Sequence, residues 1–221
     1  MAPGWTRAES HAMHSILVSL IAYTAAATLL TITPGLDTAL VVRTATAEGP
    51  RRALRSGLGI VTGCLIWAAV VAAGLGALLA ASQLAYTVLR WVGAAYLFYV
   101  GARLLWNPRT RFVDGLEGQA RSGSAFARGA LTNLLNPKVG IFYVSFLPQF
   151  IPNNVPVAAY TVLLGAIHAL LGLIWFICLI AATRPLVGWL RRPAVMKTLD
   201  RITAGVFIAF GVRLAVASNS H

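Results

Sequence analysis

Apolar residues fill six long stretches of this chain, and most charged residues lie in the short connections between them. An α-helix rises about 1.5 Å per residue, so roughly 20 apolar residues cross a hydrocarbon core about 30 Å thick. The stretches of about this length are 15–42, 57–81, 84–105, 126–151, 156–183 and 199–217. The pattern predicts an all-α integral membrane protein with six transmembrane helices.

The composition agrees with a chain that lies almost entirely in a bilayer. Of the 221 residues, 58% are hydrophobic and 11% are charged, and the mean hydropathy of +0.75 is not that of a soluble domain. We expect one transmembrane domain over residues 15–217, an N-terminal extension over 1–14 and a C-terminal tail over 218–221. Met1 and Met13 are both possible starts, and the sequence leaves the choice open.

The basic residues are distributed unevenly among the connections. The formal net charge is +12, and 14 of the 18 Lys and Arg residues lie in the first, third and fifth connections or at the adjoining ends of the stretches. They are Arg43, Arg51, Arg52, Arg55, Arg103, Arg109, Arg111, Arg121, Arg128, Arg184, Arg191, Arg192, Lys197 and Arg201. Because basic connections stay in the cytoplasm, this distribution predicts that both termini face outward. Orientation accounts for the charge, and no segment of mixed basic and aromatic residues indicates a nucleic-acid partner.

Three features of the first half return in the second half in the same order. The pairs are Pro34 with Pro137, Leu65-Ile66-Trp67 with Leu173-Ile174-Trp175, and Gly101-x-Arg103-Leu104 with Gly211-x-Arg213-Leu214. Residues 15–105 and 126–217 are therefore interpreted as two copies of a three-helix unit. An odd number of helices turns the second copy upside down, which gives the inverted repeat typical of transporters.

Prolines interrupt the first and fourth apolar stretches. A proline inside a helix costs about 3 kcal/mol, and lipid does not replace the lost hydrogen bond. In Thr33-Pro34 and Asn136-Pro137, the first residue is of a type that caps helix N-termini, and the second is proline, which is favoured at the first position of a helix. We expect helices 1 and 4 to stop and restart there, with Thr33 and Asn136 as N-caps and Gly35 allowing a close approach. Two ordinarily kinked helices are the alternative, because proline and glycine are common in membrane helices.

Each predicted break carries one isolated charge. Asp37 is the acidic residue in the interior of an apolar stretch, since Asp200 lies at the edge of the sixth, and Lys138 is the lysine in the position corresponding to Asp37. A charge at the centre of a membrane helix costs roughly 3 kcal/mol, so it faces a cavity or a partner. We expect both side chains to line one polar cavity at the positive ends of the restarted helices, and to pair when it is empty. A purely structural Asp37–Lys138 ion pair is the alternative.

A zwitterionic amino acid suits such a cavity, because its carboxylate can bind Lys138 and its ammonium can bind Asp37. Asp37 is also a candidate carrier of a coupled proton, since burial disfavours a charged carboxylate. Four more residues are candidates for the cavity wall, with an interhelical hydrogen bond as the alternative role of each. They are Asn133, Asn136, Tyr143 and His168.

Four segments of the chain resemble the LysE/RhtB family of bacterial amino-acid exporters. They are TPGLDTALVVRTATAEG, GLGIVTG, WVGAAYLFYVGARLL and RGALTNLLNPKVGIFYVSFLPQFI. The resemblance runs from about Leu20 to Ala217. It implies the export of amino acids or related small metabolites across the bacterial inner membrane, driven by the proton motive force. The family's motif positions fall on Thr33, Pro34, Gly35, Asp37, Asn136, Pro137 and Lys138.

Two functions from other classes stay open. A thiol-disulfide carrier would use Cys64 and Cys178, although neither is near a predicted break or a basic residue in the sequence. A non-transporting membrane scaffold would use Gly59-x-x-x-Gly63 as a dimer face, and a homo-oligomer is compatible with either function.

Metal efflux and enzyme activity are not favoured by the residues present. Three of the four histidines lie near the chain ends, so no set of metal ligands has usable spacing. No nucleophile motif with an oriented base is present either. We expect no metal, no cofactor and no catalytic residue, and the expected partners are a small-molecule substrate and the lipid bilayer.

Overall fold

The computed structural model describes residues 7–81, 83–108, 124–153, 155–182, 185–190 and 192–216, and these residues form helices and no strands. The α-helices are α1 (Arg7–Ile32), α2 (Leu36–Glu48), α3 (Pro50–Ala81), α4 (Gln83–Trp106), α5 (Ala125–Leu134), α6 (Pro137–Ile141), α7 (Val157–Ala181), α8 (Pro185–Leu190) and α9 (Pro193–Val216). A π-helical turn, Phe142–Phe146, and a 3₁₀ turn, Leu147–Phe150, follow α6 directly. The predicted tail 218–221 and the basic residues Arg109, Arg111, Arg121, Arg184 and Arg191 lie outside the described residues.

Helices occupy all six predicted stretches. α3, α4, α7 and α9 each correspond to one stretch, whereas the first and fourth stretches are each divided between two or more helical segments. Within the described residues, three segments are long and apolar enough to cross a membrane: Ala12–Ile32, Pro50–Gly74 and Val157–Ala181. α4 and α9 have 24 residues each, a length of about 36 Å. α1 already begins inside the segment predicted as an extension, and the sequence did not predict α8.

The first predicted break is present between α1 and α2, but its N-cap is Gly35 rather than Thr33. The Thr33 hydroxyl donates to the Leu29 carbonyl at 2.7 Å and lies 2.8 Å from the hydroxyl of Thr203 on α9. These bonds orient Thr33 toward α1 and α9, so it does not cap α2. Asp37 lies in the first turn of α2, where the helix dipole favours a carboxylate.

The second predicted break lies between α5 and α6, and Asn136 is its N-cap as predicted. Oδ1 of Asn136 accepts a hydrogen bond from the backbone N–H of Lys138 at 3.1 Å, and Pro137 occupies the first turn of α6. The restarted segment continues from α6 through the π-helical and 3₁₀ turns to Phe150, whereas α2 is a regular α-helix of 13 residues. The second restarted helix is therefore less regular than the first.

Contacts at two levels show that α1 runs antiparallel to the segment that follows the second break. Ser19, in the first half of α1, donates to the carbonyl of Phe150. Lys138 donates to the carbonyls of Leu30 and Thr33 at the end of α1. The contacts therefore move toward earlier residues of the second segment as α1 proceeds. The two breaks therefore lie side by side.

Glycines allow α3 and α5 to pack backbone against backbone. A Cβ atom added to Gly59 would lie 2.0 Å from the carbonyl oxygen of Phe126, and one added to Gly129 would lie equally close to a carbonyl of α3. A Cβ atom added to Gly63 would lie 2.6 Å from the side-chain oxygen Oδ1 of Asn133. The Gly59-x-x-x-Gly63 pair considered above as a dimer face is therefore occupied by α5 of the same chain.

The packing of α4 against α9 is reciprocal. A Cβ atom on Gly101 of α4 would lie 2.7 Å from Ile208 and 3.0 Å from the carbonyl oxygen of Ala204 on α9. One on Gly211 of α9 would lie 3.2 Å from the carbonyl oxygen of Ala94 on α4. Gly101 and Gly211 correspond to each other in the sequence repeat.

Aromatic rings fill the core beyond the second break. The ring of Phe146 lies 5.2 Å from Phe142, 5.1 Å from Phe150 and 4.5 Å from Phe210 of α9, measured between centroids. Tyr23 of α1 completes the group, 5.3 Å from Phe150. We call these five residues the aromatic cluster. It ties α1 and α9 to the irregular segment that continues from α6.

Candidate functional site

Both helix breaks border one internal cavity, which we call the central cavity. Its volume is about 50 Å³. The predicted site residues that line it are Thr33, Gly35, Asp37, Asn136, Lys138 and His168. A cavity of this size holds water but not an amino acid, because small-molecule sites usually measure roughly 300–1,000 Å³. The structure therefore shows the central cavity in a closed form.

Asp37 is bound by two asparagines of the other broken helix. Its Oδ2 accepts a hydrogen bond from Nδ2 of Asn133 at 2.8 Å, and its Oδ1 accepts one from Nδ2 of Asn136 at 3.3 Å. Both asparagines are buried. Their amides replace water around the carboxylate and so offset part of its desolvation. The two residues predicted for the cavity wall therefore bind Asp37 directly.

Lys138 is bound by the end of α1. Its Nζ donates to the carbonyl oxygens of Leu30 and Thr33, each at 2.9 Å. Carbonyls at the end of a helix have no helical partner, so the ammonium satisfies them. Gly35 lies beside this side chain, since a Cβ atom added there would be 3.7 Å from both Cδ and Nζ of Lys138. The close approach predicted at Gly35 is thus made by Lys138.

The two charged side chains line one cavity, and the groups that hold each charge come from the opposite half of the chain. The side-chain amides of the two asparagines, in the second half, bind Asp37. The backbone carbonyls of Leu30 and Thr33, in the first half, bind Lys138. Neutral hydrogen-bond partners therefore contact both charged side chains in the closed form. A ligand with both a carboxylate and an ammonium group matches the two charges that face the cavity.

Tyr143 and His168 form a buried polar pair beside the cavity, with the hydroxyl of Tyr143 3.1 Å from Nδ1 of His168. His168 lines the cavity, and Tyr143 packs behind it.

The two prolines differ in their surroundings. Pro34 is buried at the first break, whereas Pro137 lies against a second cavity.

Cys64 is a site residue that sequence reasoning missed. It lines the central cavity, and its Sγ accepts a hydrogen bond from Asn133 at 3.4 Å. The expectation that neither cysteine lies near a break is therefore wrong for Cys64, because α3 brings it there from a distant part of the sequence. Cys178 is exposed on α7, and both thiols are free.

A polar residue of α9 was also missed. Thr203 is buried and pairs with Thr33 at the first break. A single polar residue near the end of an apolar segment gives no sign in the sequence of which neighbour it meets.

A second and larger cavity, which we call the vestibule, measures about 510 Å³ and lies between α4, α6 and α9. Thr33 and Lys138 line both cavities, so they form the wall between them. Arg103, in the last turn of α4, also lines the vestibule.

Comparison with known proteins confirms the family resemblance. Residues 28–218 match the family described as LysE type translocator. A homoserine/homoserine lactone efflux protein of Salmonella typhimurium is 31% identical, over 90% of this chain and 97% of its own length. A leucine efflux protein of Klebsiella pneumoniae is 27% identical, over 90% and 95%. An uncharacterized membrane protein, YrhP of Bacillus subtilis, is 30% identical, over 90% and 99%. No solved structure shows significant similarity to the chain.

Proposed function

Because the chain belongs to the LysE type translocator family, we propose that it is a secondary transporter that exports amino acids or related small zwitterionic metabolites across the bacterial inner membrane. The names of two relatives, a homoserine/homoserine lactone efflux protein and a leucine efflux protein, support this function. The observation that carries it is the position of Asp37 and Lys138, which line one cavity where two broken helices meet.

The proposed architecture is a six-helix inverted repeat with both termini outside. Three observations support it: the breaks at equivalent prolines, the antiparallel course of the two broken helices, and the reciprocal packing of Gly101 and Gly211. In this orientation the basic connections lie in the cytoplasm. Alternating exposure of a central site to the two sides is the usual mode of action of such repeats.

In the proposed mechanism, the substrate takes over the contacts that hold the two charges. Its carboxylate binds the Lys138 ammonium in place of the carbonyls of Leu30 and Thr33, and its ammonium binds Asp37. The central cavity must widen beyond about 50 Å³ to admit it. Because each charge is bound by the opposite half of the chain, this exchange loosens the contact between the halves.

We further propose that Asp37 carries a coupled proton. It is the carboxylate that faces the central cavity among the residues described as lining it. Protonation would remove the charge that binds the substrate ammonium, so proton uptake from outside would release the substrate there.

The test is counterflow of labelled amino acids in proteoliposomes. We expect the wild-type protein to exchange at least one amino acid, and Asp37→Asn and Lys138→Met each to lower the rate by roughly tenfold or more, because each removes one charged contact. Lys197→Met, an exposed lysine of α9, is the matched control and should keep the wild-type rate. Unchanged exchange in both cavity variants would contradict the proposed roles.

A further inference from the structure

The vestibule has the size of a small-molecule site, whereas the central cavity does not. Its volume of about 510 Å³ falls within the range of roughly 300–1,000 Å³ that such sites occupy. It begins beside Arg103 and Asn107 at the end of α4 and extends to Lys138 and Thr33. The volume next to the closed central cavity is therefore large enough for an amino acid.

The charged groups that line the vestibule are all positive. Among its described lining residues, Arg103 and Lys138 carry charge and none is acidic. An arginine guanidinium binds a carboxylate through two parallel hydrogen bonds, which a lysine does not do. The side chain of Arg103 is exposed, and the described part of the chain shows no carboxylate paired with it. Arg103 is thus placed to receive a carboxylate from solution.

The rest of the vestibule wall is apolar or aromatic. The rings of Tyr96 and Tyr99 lie 6.0 Å apart on the same helix as Arg103. Phe207, which is buried on α9, lines the wall opposite α4 together with Ile141 of α6. A solute held by its carboxylate at Arg103 would therefore place an apolar side chain against these groups.

We propose that the vestibule is a loading site, in which Arg103 binds the free carboxylate of an amino acid before the solute passes to Lys138. The inference rests on the proposed function and adds a second binding step to it. Lys138 lines both cavities, so one side chain can take the carboxylate from Arg103 and move with it into the central cavity. The ligand class is a free amino acid with an apolar side chain. Amides and lactones of amino acids lack the group that Arg103 binds.

The test measures initial rates of leucine transport from the Arg103 side of oriented proteoliposomes. Arg103→Gln should raise the KM for leucine by roughly tenfold or more, because a charge-assisted contact is lost. It should leave the rate at saturating leucine within about twofold of the wild-type value, because the later transfer to Lys138 is unchanged. Arg103→Lys should give an intermediate KM for leucine. Arg55→Gln, which removes an exposed arginine of α3 that lines neither cavity, is the matched control and should keep the wild-type KM.

A pair of bulky substitutions on α4 tests the vestibule without changing its charge. Val100→Trp would fill part of the vestibule and should lower the transport rate, whereas Val92→Trp, on an exposed position of the same helix, should not.

The outcomes separate the two proposals. A wild-type protein that exchanges leucine while Arg103→Gln and Val100→Trp match their controls would overturn the loading site and leave the proposed function intact. A lower rate at saturating leucine with an unchanged KM for Arg103→Gln would also overturn it. A wild-type protein that exchanges no amino acid would contradict the proposed function itself and the loading site with it.

Discussion

Gly59 and Gly129 decide how closely two helices approach each other. At both positions a single added carbon would overlap a carbonyl oxygen of the facing helix, at 2.0 Å. Such an overlap cannot be relieved by a side-chain rotation, because the opposing atom belongs to the backbone. The approach also brings Asn133 of α5 beside Cys64 of α3, so the same glycines help to shape the central cavity.

We expect Gly59→Ala to destabilise the protein by about 1–3 kcal/mol, because α5 has to move away from α3. Gly205→Ala on α9 is the matched control, since nothing lies within 4 Å of a Cβ atom added there. Alanine is favoured over glycine in a helix by about 1 kcal/mol, so the control should be as stable as the wild type or slightly more stable. Thermal unfolding in detergent measures both. Equal melting temperatures for the two variants would contradict the backbone contact.

Asn136 has two tasks that substitution can separate. Its Oδ1 caps α6, and its Nδ2 donates to Asp37. Asn136→Asp keeps the capping oxygen but replaces the donor with a second negative charge, whereas Asn136→Ser keeps a cap without adding charge. We expect Asn136→Ser to melt close to the wild-type temperature. Asn136→Asp should melt at a lower temperature, because its carboxylate is buried beside Asp37, and should lose much more amino-acid counterflow. Full activity of Asn136→Asp would show that its contact with Asp37 is irrelevant to transport.

At the scale of single residues, the sequence identified the two charges but not their partners. Asp37 and Lys138 stand out because a charge in apolar sequence is costly and needs a polar environment. Their hydrogen bonds depend on which segments become neighbours, and no local pattern specifies that. Thr33 shows the same limit, because its neighbour Thr203 competes with the capping role that local sequence predicts.

The shorter helices on either side of the breaks are joined by charged groups as well as by packing. Glu48, at the end of α2, accepts two hydrogen bonds from Arg128 of α5, at 2.7 and 2.9 Å. Both side chains are largely buried, with 11% and 14% of their surfaces exposed. The bond therefore ties the end of the first broken helix to the start of the second. Arg52 approaches the same carboxylate at 3.3 Å, but 43% of its side chain is exposed.

We expect a double-mutant cycle on Glu48→Gln and Arg128→Gln to give a coupling free energy of about 0.5–3 kcal/mol, because the pair is shielded from water. The matched cycle on Glu48→Gln and Arg52→Gln should give at most about 1 kcal/mol, since Arg52 is partly exposed. Chemical denaturation in detergent measures the free energy of unfolding for each variant. A larger coupling for Arg52 than for Arg128 would contradict this assignment.

At the scale of elements, both breaks were predictable, whereas the shape of the second one was not. Proline at a helix start has a local physical cause, and it appears in the sequence as a motif. The π-helical turn after α6 has no such motif. It places Phe142, Tyr143 and Phe146 in the core together, and the packing of these rings determines the backbone there.

For the whole molecule, orientation in the membrane follows from charge. If the basic connections lie in the cytoplasm, a fusion to alkaline phosphatase after residue 217 should be active, because this enzyme folds outside the cytoplasm. Green fluorescent protein fused at the same point should be dark, whereas a fusion after residue 108 should fluoresce. The reverse pattern would show that the inserted orientation is opposite to the one proposed.

The overall outline of the fold was predictable because the bilayer imposes helix length and hydropathy on every segment. Which helices pack against each other was harder to predict from the sequence, since lipid gives apolar side chains no preference for one helix over another. Glycines at close contacts then determine which helices meet, and Gly101 and Gly211 were seen in the sequence as a repeat, not as contact points.

The aromatic cluster has a consequence for the cell as well as for the fold. Five packed rings lie between α1, α9 and the segment after α6, and Tyr23, Phe142, Phe146 and Phe150 are almost wholly shielded from solvent. A continuous chain of water molecules through a membrane protein would conduct protons and dissipate the energy stored across the membrane. Closely packed rings leave little room for water, so this cluster would interrupt such a chain and keep the resting protein from discharging the membrane.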